Sequence, residues 1–417
     1  MDKLTYLDRT LQLKEMSVMP TKTVHNPDQY MCDFRHVLTH NKKKIGILIG
    51  AGAPVSINIA APGEERCPLI PDIEGLTNLV YQGLDMEKEQ PAFDALVADL
   101  SGNNIELVLS RVRSLAEVIG NYEVYGLDAR GYEALAKKIC KIIKEVVGQE
   151  LPKGDNPYSH LVSWINGINR DFAVELFTTN YDLLLEEAME RVRTPYFDGF
   201  SGSRSAFFDP SSISSNDLPA KWIRLWKLHG SINWATNSKG EVVRGVGSSE
   251  GTMVYPSHIK YDQTQSAPFS ALFDRLKNFL LEPDTLLLTA GFSFADAHIT
   301  AKLDECLAEN RSSAVFAFQF KTLEEEVFAA EAARRNPNIS VYCSDGAVIN
   351  GVKAPWSIGE PPSKNWEIIR NEYWDSTTST FGLGDFVSFA KFLASSGGSL
   401  SVTQEPLEEK LEGQTNE

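Results

Sequence analysis

Apolar positions follow two rhythms along this chain. From residue 172 onward, short continuous apolar runs alternate with segments whose apolar residues recur at helical spacing. The runs predict strands at Val174–Phe177, Trp222–Leu228, Thr285–Thr289, Val315–Phe318 and Ser340–Cys343. The periodic segments predict helices at Asp182–Val192, Leu272–Leu281, Ala295–Leu307 and Leu323–Arg334. An earlier run, Ile45–Ile49, ends in Gly50-Ala51-Gly52. Strands buried on both faces between helices read as continuous apolar runs of this kind. The alternation predicts an α/β fold, a Rossmann-like doubly wound parallel sheet.

Residues 76–168 keep the helical rhythm throughout. Asn103 or Asn104 can cap a helix carrying Ile105, Leu107, Val108, Leu109, Val112 and Leu115. Leu135, Ile139, Ile142, Ile143 and Val146 mark a second helix, and Leu161, Trp164 and Ile165 a third. Such a block between strands predicts an inserted α-helical subdomain, either structural or a lid. The expected organisation is an N-terminal helical extension over 1–44 and a core over 45–345 that includes the 76–168 insertion. A C-terminal extension over 346–396, with a helix at Phe386–Leu393, and an acidic, disordered tail over 397–417 complete it. Stretches 195–220 and 236–264, rich in Gly and Ser, read as long loops.

Charge narrows the partners. The formal net charge is −16, so the chain repels phosphate backbones at long range, and strong direct nucleic-acid binding is not expected. Lys42-Lys43-Lys44 reads as a solvated lead-in to the first strand. The 5 cysteines are widely spaced with no CxxC pair, which supports neither a zinc ribbon nor a disulfide framework. No apolar run is long enough to span a bilayer. A cytoplasmic protein is expected.

Three polar motifs stand at expected strand carboxyl ends: Gly50-Ala51-Gly52, Thr178-Thr179-Asn180-Tyr181-Asp182 and Leu228-His229-Gly230. Ligands of doubly wound sheets bind beyond those ends. Collected in one pocket, the motifs suit a dinucleotide and chemistry on its ribose. Val55 stands where the dinucleotide fingerprint has its third glycine, which argues against hydride transfer. No Walker A sequence is present. Gly247-Ser248-Ser249-Glu250-Gly251 matches the nucleophile elbow in letters but lies in a loop, without the strand and helix that motif needs. His36 and His40 could share a helix face, but Val37 replaces the glutamate of a zinc-protease motif.

With Ala290-Gly291-Phe292-Ser293-Phe294 as a fourth member, these motifs, in this order, resemble the sirtuin (Sir2-like) NAD-binding fold over roughly residues 45–345. Asn104–Ser110 and Gly291–Ile299 look more like the bacterial Sir2-like NAD hydrolases of anti-phage defence than like protein deacylases. By that resemblance Gly50, Ala51 and Gly52 offer amides to the pyrophosphate. Asn180, with Thr179 beside it, holds the nicotinamide ribose or the attacking water. His229 is the general base, a task neutral imidazole suits; a core histidine bonded to backbone is the plainer alternative. Asp182 bonds a ribose hydroxyl or fixes the Asn180 loop, or simply caps the following helix. Gly291 and Ser293 approach the adenosine end. Asp296 and His298 cap and pack the next helix, with no catalytic role expected.

Two departures from the family pattern matter. The stretch after the first glycine turn is Leu69-Ile70-Pro71-Asp72-Ile73-Glu74, delayed by about ten residues, with Glu74 in place of an arginine. Asp72 is its candidate for the nicotinamide pocket. Deacylases carry two CxxC pairs after Leu-His-Gly, whereas Ser231–Ala290 contains no cysteine. No zinc is expected, and water is favoured over acyl-lysine as acceptor. The resemblance implies an NAD⁺ glycohydrolase, releasing nicotinamide and ADP-ribose, as the NAD-depleting effector of a defence complex. The roughly seventy residues after the core are too few for a sensing domain of the usual size. It further implies a homo-oligomer partnered by a HerA-type hexameric ATPase, as in Sir2–HerA systems. A non-catalytic NAD- or ADP-ribose-binding subunit is the alternative, and a deacylase a lesser one.

Overall fold

The computed structural model describes residues 23–39, 42–100, 104–168, 170–203, 205–215, 219–237, 239–245 and 267–397. Helix α1 (Pro27–Thr39) leads into β1 (Lys44–Ile49). Helices α2 (Ile73–Gln82), α3 (Glu89–Leu100), α4 (Ile105–Val118), α5 (Ala129–Val147) and α6 (Pro157–Gly167) follow. Next come β2 (Glu175–Thr178), α7 (Leu184–Arg191), β3 (Tyr196–Phe197), β4 (Phe200–Ser201), β5 (Ala206–Phe208), β6 (Ile223–Lys227), β7 (Trp234–Thr236) and β8 (Val242–Arg244). The second half runs α8 (Phe269–Leu281), β9 (Thr285–Ala290), α9 (Ala297–Glu309), β10 (Ala314–Phe318), α10 (Val327–Arg335) and β11 (Ile339–Tyr342). Strands β12 (Gly346–Ile349) and β13 (Val352–Pro355) and helix α11 (Phe386–Gly397) close it.

The main sheet has the order β13-β12-β11-β10-β9-β1-β2-β6-β3. It is parallel from β11 to β3, and β12 and β13 add antiparallel at one edge. The α/β, doubly wound reading of the sequence therefore matches. Its strands sort their side chains by alternation. Ile45, Ile47, Ile49, Leu176 and Leu225 join one core with Val80, Val108, Ile139 and Leu161 of the 73–167 helices. Leu48, Phe177, Trp226 and Leu287 face the other side, against Leu276 of α8 and Leu303 of α9. Gly46 leaves room there: a Cβ would sit 2.6 Å from the Phe279 ring. The helical block expected over 76–168 is thus one of two layers on the sheet.

Most of the expected strands and helices form close to their expected limits. Helix α10 starts at Val327 instead of Leu323, because the Leu323 amide bonds Asp345 Oδ1 and Thr322 bonds Glu325 in a preceding turn. Asn104 caps α4 through the amides of Glu106 and Leu107; Asn103 and His40 lie outside the described residues. The stretches read as loops are partly structured: β4, β5, β8 and β7 form a small antiparallel sheet. Aromatic residues hold it, with Phe200 5.4 Å from Phe208 and 5.0 Å from Trp234 between ring centroids. The 247–251 stretch and residues 398–417 of the tail lie outside the described residues. The 346–396 segment packs into the main core, where α11 lies against α6 and Phe386 meets Tyr158. Asp28 of α1, fully buried, accepts bonds from Trp366, Arg370 and Tyr373 and so ties the two ends of the described chain together.

Candidate active site

Strand register brings the sequence motifs to one rim. Ile49 pairs with Thr178 on one side and with Ala290 on the other, and Thr178 pairs with Lys227. Gly50, Thr179, Leu228 and Gly291 are therefore the next residues beyond a single row. The sheet order also reverses between β1 and β9, since β2 and β6 extend one way and β10 and β11 the other. At such a switch point, loops diverge and leave a crevice.

The two glycine turns meet across the switch point, backbone against backbone. Gly50 N–H donates to Ala290 O at 3.0 Å and Gly52 N–H to Gly291 O at 2.9 Å. A Cβ on Gly291, whose φ is +65°, would lie 2.5 Å from Ala53 N. This corrects the expectation that all three amides of 50–52 face a phosphate. Those of Gly50 and Gly52 are bonded to the opposite turn, and glycine is needed there for close approach. Ala51 is exposed at the apex.

Asn180 is fixed from both sides. Thr178 Oγ1 donates to Ile49 O at 2.9 Å and accepts from Asn180 N–H at 3.0 Å. Asn180 Nδ2 donates to Gly50 O at 3.1 Å. With Nδ2 held on that carbonyl, Oδ1 is the side-chain atom that can accept a bond from a ligand or water. Thr179 is half-buried beside it, its N–H on Ile49 O at 3.2 Å. Asp182 is buried and accepts from Leu184 N–H at 3.1 Å. Burial raises its pKa, with Lys227 acting against that rise. The carboxylate bond to Leu184 lies within the turn that leads into α7.

His229 is partly exposed, and its Nε2 lies 3.0 Å from Asp296 Oδ2. Asp296 was expected to do no more than cap a helix. Its Oδ1 does so, accepting from His298 and Ile299 amides at 2.9 and 3.0 Å, while Oδ2 holds the imidazole. Burial alone would raise the Asp296 pKa, but the His229 bond and charge and the two amides hold it at about 2. An ionised carboxylate on Nε2 favours a proton there and leaves the Nδ1 lone pair to accept one.

The pair has a consequence for shape. β9 and β6 are three strand spacings apart, about 14 Å, so the 291–296 loop arches over the ends of β1 and β2. Phe292 and Phe294, both buried, anchor the arch, and Gln319 and Thr300 bond their carbonyls at 2.9 Å. Ser293 is exposed on it, 3.4 Å from the Ala295 amide. Asp72 is exposed and caps α2 through Gly75 N–H at 2.9 Å. Among the described residues no three His, Cys, Asp or Glu come together as a metal site, and no helix is long and apolar enough to cross a membrane.

No curated protein matches this sequence. A solved structure described as "Structural Basis for the Mechanism and Regulation of Sir2 Enzymes" is similar over 72% of this chain and 89% of its own, at 12% identity and a TM-score of 0.33. Residues 174–342 match the family model described as SIR2-like domain. The stretch that carries Asn180, His229 and Asp296 is accordingly similar to the SIR2-like domain.

Proposed function

We propose that the chain is an NAD⁺ glycohydrolase, cleaving the bond between nicotinamide and ribose. The observation that carries this reading is the His229–Asp296 pair on the same rim as Asn180. In the reaction, Asn180 Oδ1 accepts a bond from water or a ribose hydroxyl. The carbon–nitrogen bond breaks, and its electron pair neutralises the pyridinium nitrogen as nicotinamide leaves. The water oxygen bonds the ribose carbon and passes its proton to His229 Nδ1. Asp296 stabilises the imidazolium that forms and fixes its tautomer. Ala51 and Ser293, exposed at the two turns, border the dinucleotide beyond the ribose.

Water is the acceptor on this reading, because Ser231–Ala290 lacks the cysteines of a deacylase zinc module. The resemblance extends the proposal to an NAD-depleting effector of anti-phage defence, a homo-oligomer restrained or triggered by a HerA-type ATPase ring. The test is nicotinamide release from NAD⁺ by the full chain, with and without such an ATPase. Release that disappears in Asn180→Ala and His229→Ala, with folding kept, supports the hydrolase. Tight NAD⁺ binding with no release under any condition would transfer the site to a binding subunit.

A further inference from the structure

A buried cation lies beneath the two motifs, and it touches both. Lys227 is the last residue of β6, two positions before His229, and only 2% exposed. Alternation along β6 places it with Ile223 and Leu225 on the side of the 73–167 helices. There its Nζ donates to the main-chain oxygen of Asp182, in a close contact, and to Glu186 Oε1 at 2.9 Å. Asp182 stands two positions after Asn180. One ammonium therefore connects the backbone that carries Asn180 with the strand that carries His229.

A simple ion pair does not account for this arrangement. The cluster holds two buried carboxylates, Asp182 and Glu186, around one lysine. Glu186 Oε2 and the fully buried Tyr158 hydroxyl have no hydrogen-bond partner among the described residues. A well-packed apolar group fills such a space at least as favourably. The distinctive bond is the one to Asp182 O, a carbonyl in the turn before α7 that no strand partner takes.

We infer that Lys227 is a positioning residue whose buried ammonium clamps the Thr179–Asp182 turn and so sets Asn180 against His229. The inference rests on the reading of Asn180 and His229 as the reacting pair. Its test uses the full chain carrying Lys227→Met, Glu186→Gln, or both. Lys227→Met alone strands Glu186 and can fail to fold, whereas the double variant removes both charges together. Three quantities are read: Tm, amide hydrogen exchange over 179–184 against 223–226, and kcat and KM for nicotinamide release. The double variant is expected to melt within about five degrees of wild type. Its 179–184 amides should exchange at least about tenfold faster while those of 223–226 keep their protection. Its kcat should fall about tenfold to a hundredfold, with KM for NAD⁺ changed by less than about threefold. Wild-type exchange over 179–184 in a folded double variant overturns the inference, and so does turnover that recovers together with Tm. If wild type releases no nicotinamide, the hydrolase reading fails separately, and the exchange contrast still decides the role of Lys227.

Discussion

Strands β2 and β6 carry buried ionic groups at both ends, and the two ends are built differently. At the amino end, Glu175 is saturated. Its carboxylate accepts from Arg224, from Arg275 through two nitrogens, and from Trp226 Nε1 at 2.9 Å. At the carboxyl end, three residues beyond Arg224 on β6 (227 − 224), Lys227 serves two acceptors, Glu186 Oε2 goes without a partner, and His229 keeps an exposed edge. A carboxylate satisfied in this way suits a fastening, because the buried anion meets its hydrogen bonds. Incomplete satisfaction at the rim leaves polar atoms free to bind or exchange protons. The contrast separates stability from chemistry along the same pair of strands.

The sharpest way to break that contrast is Glu175→Ala, which takes from two buried guanidinium groups their shared carboxylate. It should cost about 3–5 kcal/mol in urea unfolding while leaving nicotinamide release per folded molecule unchanged. A fall in turnover in the folded fraction would mean that the two ends are coupled. The converse is His229→Ala, expected to lower release by about 10²–10⁴-fold with little change in Tm. A large loss of stability there would make the histidine a structural residue. Asp296→Asn keeps the helix cap, since asparagine caps as well as aspartate, but removes the charge behind the imidazole. Its kcat should fall about tenfold to a hundredfold with KM nearly constant.

The smallest effect is in acid. Asp296 has its folded pKa depressed to about 2 from 3.8. Such a group contributes stability that is fully present above about pH 4 and is lost as pH falls through about 2. The contribution is at most about 2.5 kcal/mol. Urea titrations of wild type and Asp296→Asn should therefore differ at neutral pH and converge between about pH 4 and pH 2. A constant difference across that range would show that the carboxylate is not ionised by its partners.

Much of the sheet was legible because buried strands need unbroken apolar runs, and Ile45–Ile49, Val174–Phe177 and Thr285–Thr289 supplied them. Asn180 and His229 were legible because they follow such runs directly. Asp296 was half legible. Its position before α9 marks a cap, and one of its oxygens is one. The other oxygen meets a histidine 67 residues earlier (296 − 229), across an arch whose path no local pattern encodes. The small β4-β5-β8-β7 sheet was missed for a related reason: its strands are two or three residues long, too short for alternation to register.

The sequence by itself determined which residues lie at strand ends, since period and punctuation are local properties. It also determined that the 76–168 segment is largely helical and where the glycines fall. Which ends become neighbours depends on strand order and register, and these are fixed by how both faces of the sheet bury their side chains. That ordering turned Gly50 and Gly52 from phosphate donors into close-packed turns. It brought Asp296 to His229, and it sent the ammonium of Lys227 under the Asn180 loop.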